Sequence, residues 1–203
     1  KKFFNYYKIY INQISYLLNE IGVNINTVPV LDIRRPKSSN VIGDRSYSSL
    51  SKNVSKIGDV CIEEFKKRGI GTVIKHIPGH GLARVDSHKL TPVVKKKMKY
   101  LYKNDFAPFK NKKTFFAMTA HVIYNDIDPI NTATHSPKII KLIRKKIGFT
   151  NIIISDDISM KGLKYSIKQN LQRALSAGCN LILHCNGNYS EMRTVAENSP
   201  MID

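Results

Sequence analysis

The sequence predicts an α/β fold, a partial (β/α)8 barrel of about strands 4 to 8, on three observations. Stretches with helical spacing alternate with short apolar runs, five times over. The apolar runs show no polar face, as expected of strands in a parallel sheet with helices on its faces. Each run ends in side chains able to do chemistry: Asp32, then Lys75 and His76, then His121, then Asp156, then Asn186. In a barrel of parallel strands such ends converge on one mouth. An open doubly wound sheet would string them along a crevice, and the barrel is the preferred reading. A closed barrel takes eight strands, so three units are expected to be absent.

Taken in order, residues 3–21 place Tyr7, Ile11, Ile14, Leu18 and Ile21 on one helical face, with Gly22 as the stop. Residues 26–31 are a short apolar run ending in Asp32, although Pro29 removes a ladder donor. A polar, turn-rich loop spans 33–50 and carries Arg45 beside Gly43 and Asp44. Helical spacing returns over 51–68 through Val54, Ile57, Cys61 and Phe65, closed by Gly69. A second strand at 71–74 leads into the loop 75–92, KHIPGHGLARVDSHKLTP, where Pro78, Gly79 and Gly81 forbid a helix.

A mixed helical region over 95–112 precedes a third strand at 114–119, which delivers His121. Ser136 and Pro137 form an N-cap and helix start, and that helix runs through Ile139, Ile140, Ile143 and Ile147 to Gly148. A fourth strand at 151–155 delivers Asp156 and Asp157. A helix over 167–177 stops at Gly178, and a fifth strand at 180–183 ends at His184, Cys185 and Asn186. The tail from Gly187 carries little signal.

A chain of 203 residues can bury one core without disulfide or metal, so residues 1–203 are expected to form a single domain. Its three cysteines, Cys61, Cys179 and Cys185, are odd in number and show no CxxC spacing, which suits a reducing cytoplasm. No stretch reads as a leader peptide or a membrane span, and no membrane partner is expected. The net charge of +18 raises nucleic acid as a partner. Its clusters at 66–68, 95–99, 110–113 and 141–146, however, fall on separate elements, so solvated helix faces are the simpler reading and no nucleic-acid site is expected.

Two pairs of residues carry most of the chemistry. Asp86 stands two residues before His88, close enough to fix the imidazole tautomer and favour its protonated form, a general acid and base. The plainer reading is an aspartate capping a turn beside an exposed histidine. Asp156 ends a buried strand, where a carboxylate can attack an electrophilic carbon while Asp157 points elsewhere. The plainer reading is that both acids cap the next helix. His76, His80, Asp86, His88 and His121 could in principle ligate a metal. Pro78 and Gly79 prevent His76 and His80 from sharing a helical face, and no HxH or HExxH occurs, so no metal is expected.

The segments KHIPGHGLARVDSH, with NTVPVLD and IGDRSY before it and TAHVIYNDID, ISDDISM and AGCNLILHCN after it, resemble family 3 glycoside hydrolases. Within that family they are similar to the bacterial cytoplasmic β-N-acetylhexosaminidases of peptidoglycan recycling. The resemblance runs from about residue 20 to 187. It implies a (β/α)8 barrel that removes terminal β-linked N-acetylglucosamine from muropeptide fragments with retention of configuration. Residue by residue, it implies that Asp156 is the nucleophile, His88 the acid and base, and Asp86 the partner of His88. Arg45, Lys75 and His76 match groups that hold the sugar hydroxyls. No metal or organic cofactor is implied, and the complete enzyme is expected to be a cytoplasmic monomer. Ile77 stands where the family usually has an aromatic residue. The chain begins where the family's fourth strand would be, so it is expected to be an incomplete barrel, unstable and inactive by itself. A non-catalytic remnant that binds amino sugars and a metal-dependent hydrolase of the same barrel class are the alternatives.

Overall fold

The computed structural model describes residues 2–36 and 39–201. Its elements follow the predicted alternation. Helix α1 (Lys2–Glu20) precedes strand β1 (Ile25–Asn26), and helix α2 (Ser51–Lys67) precedes strand β2 (Gly71–Ile77). A short strand β3 (Val93–Val94) and helix α3 (Met98–Lys103) lead to strand β4 (Phe116–Thr119) and strand β5 (Ile123–Tyr124). Helix α4 (Pro137–Leu142), strand β6 (Ile152–Ile154), helix α5 (Ile167–Ala177) and helix α6 (Tyr189–Asn198) complete the order.

The main sheet is parallel throughout, in the order β1-β2-β4-β6. Each neighbour pair is joined by a helical crossover, which is the connection a parallel pair requires. The expected fifth strand is reduced to one parallel bridge between Ile154 and Leu181, at the edge of the sheet. The first strand is also shorter than its apolar run. Pro29 has no N–H to give, and pairing resumes only at the Val30–Lys75 bridge, where Leu31 N–H donates to Lys75 O at 2.7 Å.

Helix boundaries follow local chemistry. Ser136 Oγ accepts from Ile139 N–H with Pro137 behind it, and Gly148 adopts φ 82° after a π turn over Ile143–Ile147. At α5, Ser166 and Gln169 form a capping box and Gly178 closes the helix at φ 110°.

The main core joins Leu31, Ile74 and Ile77 to Val54 and Ile62 of α2 and to Ile139, Ile140 and Ile143 beyond β4. A second cluster, Ile11, Cys61, Phe65 and Ile70, seals α1 onto α2. Strands β2 and β4 bury consecutive residues and so are covered on both faces, whereas in β6 Ile153 is buried, Ile154 half-buried and Ile152 exposed, so the cover thins at this strand. The mixed helical region expected over 95–112 is α3 plus a 3-10 turn at Ala107–Phe109. Three features differ from the sequence reading: the β3–β5 parallel pair, α6, and β2, which continues through Lys75, His76 and Ile77 where the loop was expected to begin.

Candidate active site

The apolar run of β2 places Lys75 and His76 at its carboxyl end, and Asp32, at the end of the neighbouring segment, organises the turn beyond them. Asp32 is fully buried. Its Oδ2 accepts from His76 N–H at 3.2 Å and lies 2.7 Å from His76 Nδ1, while its Oδ1 accepts from His80 N–H at 2.6 Å. Burial pushes the carboxyl up, but His76 and the His80 N–H outweigh it, so Asp32 is held below the usual carboxylate range.

The 78–81 turn fits only because its glycines lack side chains. Gly79 has φ 145°, and a Cβ there would lie 2.7 Å from Asp105 O. A Cβ on Gly81 would collide with the Ile33 carbonyl.

Asp156 stands just beyond β6 and is half-buried. Its Oδ1 accepts from Asp157 N–H at 2.8 Å, and its Oδ2 lies 3.9 Å from His76 Nε2. Burial raises its pKa, yet His76, His121, the Asp157 N–H and Lys75 together bring it below the ordinary value, so it is a carboxylate at neutral pH. Asp157 faces away: Oδ1 accepts from Ser159 N–H and Cys185 N–H, and Oδ2 from Ser159 Oγ at 2.7 Å. Two adjacent acids thus divide, one toward the cluster and one into loop backbone.

His121 is fully buried. Its Nε2 donates to Asp157 O at 2.9 Å and its Nδ1 lies 2.7 Å from Thr134 Oγ1. Burial lowers its pKa and so favours the neutral ring. Lys75 gives a hydrogen bond to Thr27 Oγ1 at 3.3 Å, and its pKa is lowered by burial and by the charge of Arg45, against the pull of Asp156 and Asp32.

Among the sequence-predicted residues, the structure brings Lys75, His76 and Asp156 into one cluster, together with Asp32 and His121. Arg45, in a 3-10 turn at Gly43–Arg45, is exposed and donates to Val41 O. Asp86 and His88 pair with each other, His88 Nδ1 lying 2.8 Å from Asp86 Oδ1, with the His88 side chain 62% exposed. Asp86 is held low because the His88 N–H and ring outweigh burial.

The segment carrying Asp86 and His88 docks on the loop that follows Asp156. Thr91 Oγ1 donates to Gly162 O at 2.7 Å, and a Cβ on Gly162 would collide with the Ser87 carbonyl. Asn186 is engaged by Glu191, its amide donating to Oε2 at 2.6 Å beside His184. The organising role of Asp32 had only a weak signal in the sequence, an acid directly after an apolar run. His80 looked like one more loop histidine.

Among the described residues, no group of three or more His, Cys, Asp or Glu side chains is arranged to hold a metal ion. A cavity of about 640 Å3 opens beside Gly71, Thr114 and Asn151, at the opposite ends of the strands, and holds none of these groups.

Comparison with known proteins gives one family. The glycosyl hydrolase family 3 N-terminal domain matches residues 7–200. A β-hexosaminidase of Idiomarina loihiensis is 35% identical over 170 residues, covering 82% of this chain and 51% of that protein. The solved structure of a family 3 β-N-acetylglucosaminidase from a Paenibacillus species superposes with TM-score 0.85 at 30% identity, over 91% of this chain and 36% of that one. NagZ of Neisseria gonorrhoeae, solved in complex with N-trifluoroacetyl-D-glucosamine, superposes with TM-score 0.79 at 30% identity, over 90% of this chain and 52% of that one. The chain spans about half the length of the curated relatives it matches.

Proposed function

The chain belongs to glycosyl hydrolase family 3, and on that premise we propose that it is part of a retaining β-N-acetylglucosaminidase that takes terminal amino sugars from muropeptide fragments. Residues 1–203 form one incomplete barrel domain in this reading, and the complete enzyme works as a monomer in the cytoplasm. The three free thiols suit that compartment.

The observation that carries the reading is the place of Asp156, 3.9 Å from His76 Nε2 just beyond β6. It ends a barrel strand as an ionised carboxylate facing His76 and Lys75, while the loop bearing His88 packs on the loop that follows it. A retaining glycosidase needs a nucleophile on one side of the sugar and a proton donor on the other, about 5 to 5.5 Å apart in carboxylate pairs. Asp156 attacks the anomeric carbon as His88 Nε2–H protonates the departing oxygen, leaving a glycosyl ester on Asp156. His88 then takes a proton from water, and the resulting hydroxide attacks the same carbon and releases Asp156. Asp86 holds Nδ1 through both steps, so the ring alternates at Nε2 alone. Lys75 and Arg45 offer donors for sugar oxygens, and His76, tethered by Asp32, keeps its Nε2 toward the site.

The test is cleavage of a chromogenic N-acetyl-β-glucosaminide by the protein expressed from its complete reading frame. Asp156→Asn is expected to lower kcat by at least about 10³-fold, since the covalent route is then closed. Full turnover by Asp156→Asn sinks the assignment.

A further inference from the structure

We propose that His80 is a positioning residue that holds the Asp86–His88 segment over the site through the hydroxyl of Ser87. This rests on the reading of His88 as the acid and base, and goes beyond it to what sets the place of that group.

His80 is fixed at its backbone, where its N–H donates to Asp32 Oδ1 at 2.6 Å and the next residue, Gly81, packs against Ile33. Its ring stands edge-on to His76, centroids 5.8 Å apart. The ring Nε2 lies 3.2 Å from Ser87 Oγ, and Nδ1 is buried with no partner among the described residues. The one directional task left to this imidazole is therefore to hold Ser87.

The other side of the contact is equally specific. From Arg84 to Leu90 the chain is exposed or half-buried except at Ser87, which is 4% exposed. Ser87 is thus where this stretch is pinned, by His80 at its hydroxyl and by Gly162 at its carbonyl. His88, the next residue, projects outward.

Burial and the neighbouring His76 bring His80 down to about 4, so the ring stays neutral and adds no charge beside Asp156 at neutral pH. The same Asp32 carboxylate that anchors His80 also holds His76 against Asp156. Both sides of the sugar are then referenced to one buried carboxylate: the nucleophile through His76, and the acid through His80 and Ser87.

A residue that positions the acid affects only bonds that need the acid to break. The test compares kcat/KM, in protein from the complete reading frame, on 2,4-dinitrophenyl and unsubstituted phenyl N-acetyl-β-glucosaminides. The first has a leaving group that departs without a proton and the second does not. Ser87→Ala and His80→Leu are expected to lose on the order of tenfold to a hundredfold on the phenyl glycoside and to stay within about twofold on the dinitrophenyl one. His80→Gln, which keeps a polar group near the Nε2 position, is expected to recover most of the phenyl activity. Equal losses on both substrates would mean a merely structural role, and an unaltered Ser87→Ala would remove the contact from consideration. His88→Ala is the reference. If it splits the substrates while Ser87→Ala behaves as wild type, the latch is wrong and the acid assignment stands. If His88→Ala loses equally on both, the acid assignment itself fails.

Discussion

Two histidines that form no ion pair make the most direct prediction at the scale of single residues. Burial and His76 hold His80 neutral down to about 4, and burial, His121 and Arg173 do the same for His135, from an ordinary imidazole value of 6.5. Below 6.5 the unfolded chain binds a proton on each ring that the folded chain refuses until about 4. Stability therefore falls as pH drops through that window, by up to about 1.4 kcal/mol per pH unit for each ring. Asp32, held below the usual carboxylate range, prolongs the decline at lower pH, where the unfolded carboxylate takes up its proton first. Denaturant titrations at several pH values should show this slope, and His80→Gln should make it shallower by the share of one ring, His135 and the likewise buried His121 keeping the rest. A flat profile between neutral pH and 4 would mean that these rings are not buried neutral. Much of this chemistry was legible as residue types at strand ends, because a loop after a strand admits titratable groups that a core rejects. The roles were not legible. His80 and His88 sit on the same loop, and only tertiary packing buries the first ring and leaves the second exposed.

At the scale of elements, the junction between the 86–91 segment and the loop after β6 depends on Gly162 having no side chain. Its hypothetical Cβ meets backbone, the Ser87 carbonyl, which cannot swing aside as a side chain end could. Gly162→Ala should therefore destabilise the protein by about 1 to 3 kcal/mol through overpacking, read as a lower denaturation midpoint with unchanged m-value. An unchanged or raised midpoint would mean that the two loops are not docked. Helix ends were the most readable elements. Ser166 to Gly178 encloses α5 because a capping box and a left-handed glycine act locally. The β3–β5 pair was unreadable for the opposite reason, since each strand has two residues and the pair closes across nearly thirty positions that include α3 and β4. Helix α6 buries no residue fully, and its half-buried stripe of Glu191, Thr194, Val195 and Asn198 is mostly polar. It therefore lacks the apolar stripe that marks a helix in sequence, and Asn188 accepting from Glu191 N–H is the local signal of its start.

For the whole molecule, alternation of periods was enough to give the parallel sheet, because a parallel pair needs a crossover and a crossover shows as a helical stretch. What alternation does not reveal is how the sheet ends. Among the described residues strand β1 has a partner on one side only, and beyond β6 the pairing is confined to residues 180–183, through the Ile154–Leu181 bridge and the backbone hydrogen bonds beside it. Ile25, Ile152 and Leu181 are exposed along this sheet, and Phe3, Tyr6, Tyr10, Leu17 and Ile21 are exposed on or just beyond α1. Unpaired strand edges and contiguous apolar surface drive association. A net charge of +18 opposes it. The balance is set by salt, because the Debye length shrinks from about 30 Å at 0.01 M to about 8 Å at 0.15 M while the apolar term is untouched. The 203-residue chain alone should therefore sediment as a monomer at low ionic strength and grow with concentration at physiological salt. Binding to a polyanion would respond in the opposite sense and weaken as salt rises, so one salt series separates an adhesive apolar face from an electrostatic partner site. A chain that stays monomeric at both salts would mean that its edges are already protected.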